Sequence, residues 1–360
     1  MSYMNISIIG LGLIGGSIAR ALKKNLQCVS ISAYDLPETT QAALSEQVID
    51  RELSAPEEAV ESDIIFLCLP LQMSLDVFVS IAPRLRPGTI LTDVCGVKGV
   101  FQDKWQKMNS AGLFIGGHPM TGKEKGGYEN SDPLLFENAV YILTAENESQ
   151  IRDKRLIDVI GSLGARISFL DAYTHDRIVS SVSHLPQLLS VALVNAAAIA
   201  GGNDEPLSFA AGGFRDMTRI ASSSFSIWKD VIRYNKSEII RTIGIMEEQI
   251  AMMHRYIESD DMESIEKLFS SASVMRDMVP KTSKGFISPL YDIFVFVKDE
   301  PGIISRISAS LFSEKINIKD IELLKIREGS GGTFRLSFES EQEMHRAREV
   351  LSNEGISVNL

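Results

Sequence analysis

Apolar residues fall in short, β-branched runs through the first 170 positions, and between the runs they recur three and four apart. The runs Ile6–Ile9, Val29–Tyr34, Ile64–Leu69, Thr89–Asp93, Leu113–Gly116, Val140–Thr144 and Arg166–Leu170 read as strands. Strands alternating with helices make βαβ units, so an α/β fold with a mostly parallel sheet is expected. The unbroken apolar run Ile64-Ile65-Phe66-Leu67-Cys68-Leu69 calls for helices over both faces of that sheet. After Asp171 the strand signal stops. Ile239, Ile240, Ile243, Met246, Ile250 and Met253 keep helical spacing, and helix is expected to about Met278. This all-helical stretch carries more Ala, Ile and Met than a lone cap needs. Burial against another subunit is one reading, and packing on the first domain alone is the other.

Val279–Pro289 has linker composition, with Pro280, Lys281, Thr282, Ser283, Lys284 and Gly285. A new pattern follows: strand Tyr291–Val297, helix to about Glu314, strands Ile316–Arg327 and Thr333–Phe338, helix Glu341–Leu351, and strand Ile356–Leu360. That βαββαβ order is ferredoxin-like. The expected domains are residues 1–171, 172–280 and 290–360, with a linker at 281–289.

Length agrees, since 360 residues at about 150 per domain give two or three. The balance of 36 basic against 47 acidic side chains gives a net charge of −11, and no window concentrates Lys and Arg. Nucleic acid and anionic membranes are therefore excluded as partners, and any anionic ligand must meet a few well-placed cations. Cys28, Cys68 and Cys95 are too few and too scattered for a disulfide framework or a zinc site, which fits a reducing cytoplasm. No His and acidic residues fall in a ligand pattern, so no metal is expected. The N-terminal apolar run is broken by glycines and followed, not preceded, by Lys23 and Lys24, unlike a signal peptide. Ile178–Asn203 lacks charge and is long enough to span a membrane. Its His184, Pro186, Gln187, Asn195 and four serines point instead to a buried helix pair.

Gly10-Leu11-Gly12-Leu13-Ile14-Gly15 follows the first strand and opens a helix. Gly10 permits the turn, Gly12 lets a pyrophosphate approach the backbone, and Gly15 lets helix pack on strand, with the helix N-terminus supplying N–H donors. Asp35 ends the second strand, 20 residues beyond Gly15, placed to accept from ribose hydroxyls. A dinucleotide is expected, and NAD over NADP because Asp35 would repel a 2′-phosphate. Leu69-Pro70 and Asp93 end the third and fourth strands, on the edge where open α/β sheets bind ligands. His118 lies on the same edge in Gly116-Gly117-His118-Pro119-Met120-Thr121-Gly122, where an imidazole beside a nicotinamide can take a hydroxyl proton. It could also merely cap a loop. His175 and His184 stand nine apart, and Pro186 is expected to kink the helix after His184. Arg215 and Arg219, four apart, would share a helical face and suit a carboxylate, or else make surface ion pairs.

These segments together resemble the prephenate dehydrogenase family over essentially the whole chain. The resemblance rests on Gly10–Ser17, Asp93-Val94 with Val97-Lys98, Gly117-His118-Pro119-Met120, Gly122-Lys123-Glu124, Ser183-His184-Leu185-Pro186, and Gly213–Ala221 with Trp228. It implies NAD-dependent oxidative decarboxylation of prephenate to 4-hydroxyphenylpyruvate in tyrosine biosynthesis, in a homodimer. His118 is then the base and Arg219 the carboxylate anchor, with His184, Gln187, Glu124, Lys98, Thr121 and Trp228 around the substrate. Gly10, Gly12, Leu13, Ile14, Gly15, Asp35, Leu69, Pro70 and Asp93 would hold NAD. The chain departs at two places. Gly96 stands where the family has a serine whose hydroxyl lies near the catalytic His, and Gln187 where it often has a second His. The latter leaves prephenate against arogenate open. The last 70 residues resemble an ACT domain, which implies L-tyrosine as effector and contacts at Asp299, Pro301, Gly302, Asn317 and Ile318. The rivals are another NAD(P)-linked dehydrogenase of the β-hydroxyacid type, which would rely on a Lys of the helical domain, and a non-catalytic nucleotide sensor.

Overall fold

A computed structural model describes residues 3–123, 125–145, 147–151, 153–200, 208–279, 290–298, 300–327 and 331–359. Glu124 and Asp299 lie outside the described residues. The chain divides into two compact units, Met1–Lys267 and Leu268–Leu360.

The first unit opens with six strands: β1 (Met4–Ile9), β2 (Val29–Tyr34), β3 (Arg51–Glu52), β4 (Ile64–Leu67), β5 (Ile90–Asp93) and β6 (Leu113–Phe114). They lie in the order β3-β2-β1-β4-β5-β6, and each pairing is parallel. The reversal beside β1 leaves a crevice at the carboxyl ends of β1 and β4, the site such sheets use for nucleotides. Side chains of a strand alternate between faces, and here both faces are apolar. On β4, Ile64 and Phe66 join the core under α1 (Leu13–Asn25), while Ile65 and Leu67 join the one under the helix Leu71–Ile81.

The expected strand Leu113–Gly116 is interrupted. It stops at Phe114, and β7 (Gly117–Pro119) joins a separate sheet with β8 (Val140–Thr144) and β9 (Arg166–Leu170), antiparallel to β8. The cause is close packing. A Cβ on Gly117 would stand 2.6 Å from the Asp93 carbonyl, so only glycine lets β7 cross the end of β5.

The helical segment begins with α2 (Ala172–Val179), a π turn over Ser180–His184, and α3 (Leu185–Ala200). This run, Ala172–Ala200, is long and apolar enough to cross a membrane by length and composition, its most apolar 18-residue stretch having mean hydropathy 1.5. The expected buried helix pair is corrected here. The run is one continuous helix, and Val182, Val191 and Ile199 are exposed, because among the described residues no other element covers them. Further on come α4 (Gly212–Thr218), a 3₁₀ turn Arg219–Ser222, α5 (Phe225–Tyr234), α6 (Lys236–Glu258) and α7 (Met262–Asp277).

The second unit contains β10 (Tyr291–Val297), α8 (Ile303–Ser313), β11 (Asp320–Arg327), β12 (Gly331–Phe338), α9 (Glu341–Asn353) and β13 (Ser357–Asn359). Its sheet order, β11-β12-β10-β13, is antiparallel throughout and ferredoxin-like. Ile316–Lys319, expected as strand, is not. Ile316 instead closes α8, its N–H donating to Leu311 O, and is buried in the core with Leu336 and Phe338.

Candidate active site

Gly10, at φ +99°, turns the chain out of β1 so tightly that a Cβ there would stand 2.8 Å from the Cys68 carbonyl. This seats the glycine loop against Cys68-Leu69 at the end of β4. Gly12 is the N-cap of α1 and contributes no side-chain cap, and a Cβ on it would meet nothing within 4 Å. The loop thus presents open space before the helix N-terminus carrying Leu13, Ile14 and Gly15, which is what a pyrophosphate needs. Asp35 reaches back across the same loop, accepting from the Leu11 N–H and, at 2.6 Å, from the Leu36 N–H.

Asp93 and Lys98 form a fully buried ion pair, 0% and 1% exposed. Lys98 Nζ also donates to the Gly117 carbonyl at 2.7 Å, and Asp93 accepts from the N–H groups of Cys95 and Gly117. The sequence places these side chains at substrate and cofactor. The structure engages them with each other and with the strand that carries His118. Burial, with Asp93 nearby, pushes the Cys95 thiol up to about 12, so it stays protonated.

His118 sits at the centre of β7 with Gly96 beside its ring; a Cβ at 96 would lie 3.7 Å from His118 Nε2. His118 Nδ1 is 2.8 Å from His175 Nε2, and His175 Nδ1 is 2.8 Å from Asp176 Oδ1. Burial first, then the neighbouring His175, Lys98 and His184, hold the His118 ring well below the usual histidine range. A neutral imidazole is a base in waiting. His184, 3% exposed, is lowered to about 4 by burial, against the pull of Asp176. Its Nδ1 lies 3.1 Å from Asn235 Nδ2, which also donates to the Asp176 carbonyl, and its ring meets Trp228 edge-on at 5.9 Å. Sequence reasoning singled out neither Asp176 nor Asn235, and noted His175 for its spacing alone.

Gln187, 5% exposed, donates from Nε2 to the Ile220 carbonyl at 2.9 Å, tying α3 to the turn that bears Arg219. Arg219 is exposed at the head of that 3₁₀ turn, and Arg215 belongs to α4 before it, so the two arginines do not share one regular helix. Thr121 Oγ1 donates to the Leu135 carbonyl.

A family model for the prephenate dehydrogenase nucleotide-binding domain matches residues 18–169, and one for the prephenate dehydrogenase dimerization domain matches 171–271. Prephenate dehydrogenase of Bacillus subtilis is 36% identical over 356 residues, covering 96% of this chain and 95% of its own. Among solved structures, Synechocystis arogenate dehydrogenase matches at a TM-score of 0.68 and 28% identity, over 76% of this chain and 99% of that one. Prephenate dehydrogenase of A. aeolicus, in complex with hydroxyphenyl propionate and NAD+, matches at 0.68 and 27%, over 78% and 99%. A glycine loop at the sheet's switch point and a neutral imidazole on its carboxyl edge define a dinucleotide-linked dehydrogenase. Within that class, the chain belongs to the prephenate dehydrogenase family.

Proposed function

We propose that the protein converts prephenate to 4-hydroxyphenylpyruvate and CO2 with NAD, a step of L-tyrosine biosynthesis, in the cytoplasm. The observation that carries this is His118, neutral and beside Gly96, at the carboxyl edge of a sheet whose first loop is open to a dinucleotide. When bound, NAD supplies the hydride acceptor. Gly10, Gly12, Leu13, Ile14 and Gly15 would hold its pyrophosphate, Asp35 its adenine ribose, and Leu69 and Pro70 would flank it. His118 Nε2 takes the proton of the ring hydroxyl. Loss of the ring carboxylate then aromatises the product. Arg219, with its forked donors, anchors a substrate carboxylate against the −11 charge of the chain. His184, Trp228 and Thr121 would surround the substrate, and Gln187 holds the Arg219 turn. We assign Lys98 and Asp93 to bracing the His118 strand.

The exposed apolar residues of the helical segment, among them Val182, Ile199, Ile240, Ile250 and Ile257, support a homodimer interface. The Ala172–Ala200 helix fits that reading better than a span, because His175, Asp176, His184 and Gln187 are buried and hydrogen-bonded to this same chain. We read the second unit as an ACT domain through which L-tyrosine inhibits. Its topology supports this, as does a cavity of ≈ 320 Å³ lined by Gly302, Ile303, Leu323 and Phe334. Pro301, Gly302, Asn317 and Ile318 are the proposed contacts.

The test gives purified protein prephenate or arogenate with NAD or NADP, with and without tyrosine, and follows absorbance of the reduced cofactor. Prephenate with NAD should turn over and tyrosine should slow it; no reduced cofactor from either substrate sinks the proposal. His118→Asn should lower kcat by about 10²- to 10⁴-fold with NAD affinity unchanged.

A further inference from the structure

We infer that His175 and Asp176 form with His118 a buried proton relay, which selects the nitrogen of His118 that acts as base and holds its proton through the reaction. The inference rests on the dehydrogenase reading above.

The direction of every bond follows from two backbone amides. Asp176 accepts from the N–H of Lys98 at 2.7 Å and from the N–H of Gly99 at 2.8 Å, one on each oxygen. An amide N–H can only donate, so both oxygens are acceptors. His175 Nδ1, 2.8 Å from Oδ1, must then carry a hydrogen. In neutral His175 the lone pair is on Nε2, and His118 Nδ1, 2.8 Å away, must donate to it. The lone pair of His118 is therefore on Nε2, the nitrogen that faces Gly96. A partner on one imidazole nitrogen sets the role of the other.

The relay is closed to water, with His175 0% and Asp176 6% exposed. A Cβ on Gly99 would stand 2.9 Å from Asp176 Oδ2, so glycine is what lets the carboxylate reach the backbone. The other ionisable groups acting on the two rings are Asp93 and Lys98 at the end of β5, paired with each other, and His184 in the π turn.

The chemistry needs such a store. The substrate O–H bond breaks as an N–H bond forms at His118 Nε2, while the C–H pair leaves as hydride to NAD and the C–O bond becomes C=O. Loss of CO2 sends the C–C pair through the ring to that oxygen, which as phenolate takes the proton back from Nε2. Prephenate dianion and NAD+ thus give hydroxyphenylpyruvate anion, CO2 and NADH, with no net proton released. Between the two transfers the Nδ1–H of His118 is shared with His175 Nε2, and the positive charge faces Asp176. His175 and Asp176 are positioning residues, since they act through His118.

Two measurements test this. Nitrogen-15 NMR of the full-length protein labelled at histidine, without substrate and assigned with His118→Asn and His175→Gln, should show His118 and His175 both protonated on Nδ1. His118 protonated on Nε2 overturns the relay, and this readout stands apart from whether prephenate is the substrate. In turnover run beside wild type, His175→Gln should lower kcat about 10- to 100-fold. KM for prephenate and NAD should stay within about threefold, and the acid limb of kcat should shift, because His175 acts directly on the His118 ring. A kcat within about twofold of wild type on an unmoved limb overturns the inference, as does a kcat loss matched by a rise in KM on an unmoved limb.

Discussion

Glycine serves opposite ends at Gly12 and Gly15. A Cβ at Gly15 would stand 1.9 Å from the Gly10 carbonyl, inside van der Waals contact, whereas a Cβ at Gly12 meets nothing within 4 Å. Gly12→Ala should therefore leave unfolding of the ligand-free protein unchanged to about 0.5 kcal/mol, yet weaken NAD binding at least about tenfold by filling the pyrophosphate space. Gly15→Ala should cost about 1–3 kcal/mol of stability before any ligand is added. Denaturant unfolding and NAD titration of both variants check the contrast; a destabilised Gly12→Ala would refute it. The glycine spacing is legible in the sequence because the loop is local, with strand, turn and helix all between Met4 and Asn25. His118 is legible for the same reason. Its partners are not, because His175 meets His118 from 57 positions away and Asp176 is held by Gly99 from 77 away, contacts that no local pattern encodes.

At the scale of elements, the π turn decides the site. Nine residues of regular helix make about two and a half turns, which would set His184 on the opposite side from His175. Ser180–His184 is wider: the Leu185 N–H donates to Ser180 O, five residues back, and both histidines act electrostatically on His118. Pro186 announces a disturbance, but not which kind. The repeat of β-branched runs made β1, β2, β4, β5, β8 and β9 readable, since both sheet faces are apolar. The two-residue β3 and the three-residue β7 are too short to carry a period, and their pairing is set by tertiary packing. Gln187 joins two elements. Gln187→Leu keeps its volume but strands the Ile220 carbonyl, at about 1–3 kcal/mol, and should loosen the Arg219 turn. Steady-state kinetics should show KM for prephenate raised about five- to tenfold, with KM for NAD unchanged; an unaltered prephenate KM would remove Gln187 from the anchor.

Across the whole molecule, two buried histidines and the half-buried His118 make stability depend on pH. His118, His175 and His184 are all lowered from 6.5, each chiefly by burial. Above that pH the folded and unfolded chains both hold these rings neutral. As pH falls below 6.5 the unfolded chain takes up protons that the buried rings refuse, so stability drops until the folded rings protonate too. For His184, lowered to about 4, the loss amounts to about 3 kcal/mol. Denaturant unfolding at pH 7.5 and pH 5 should show the decline, and His184→Asn should lessen it; stability that rises on acidification would contradict the burial of these rings. The same three rings give the protein a second consequence, seen in how it can change over generations. Gly99 and Asp176, 77 positions apart, form one inherited unit. A side chain at 99 would crowd the carboxylate on which both tautomers depend, so a new residue there requires a compensating change at position 176.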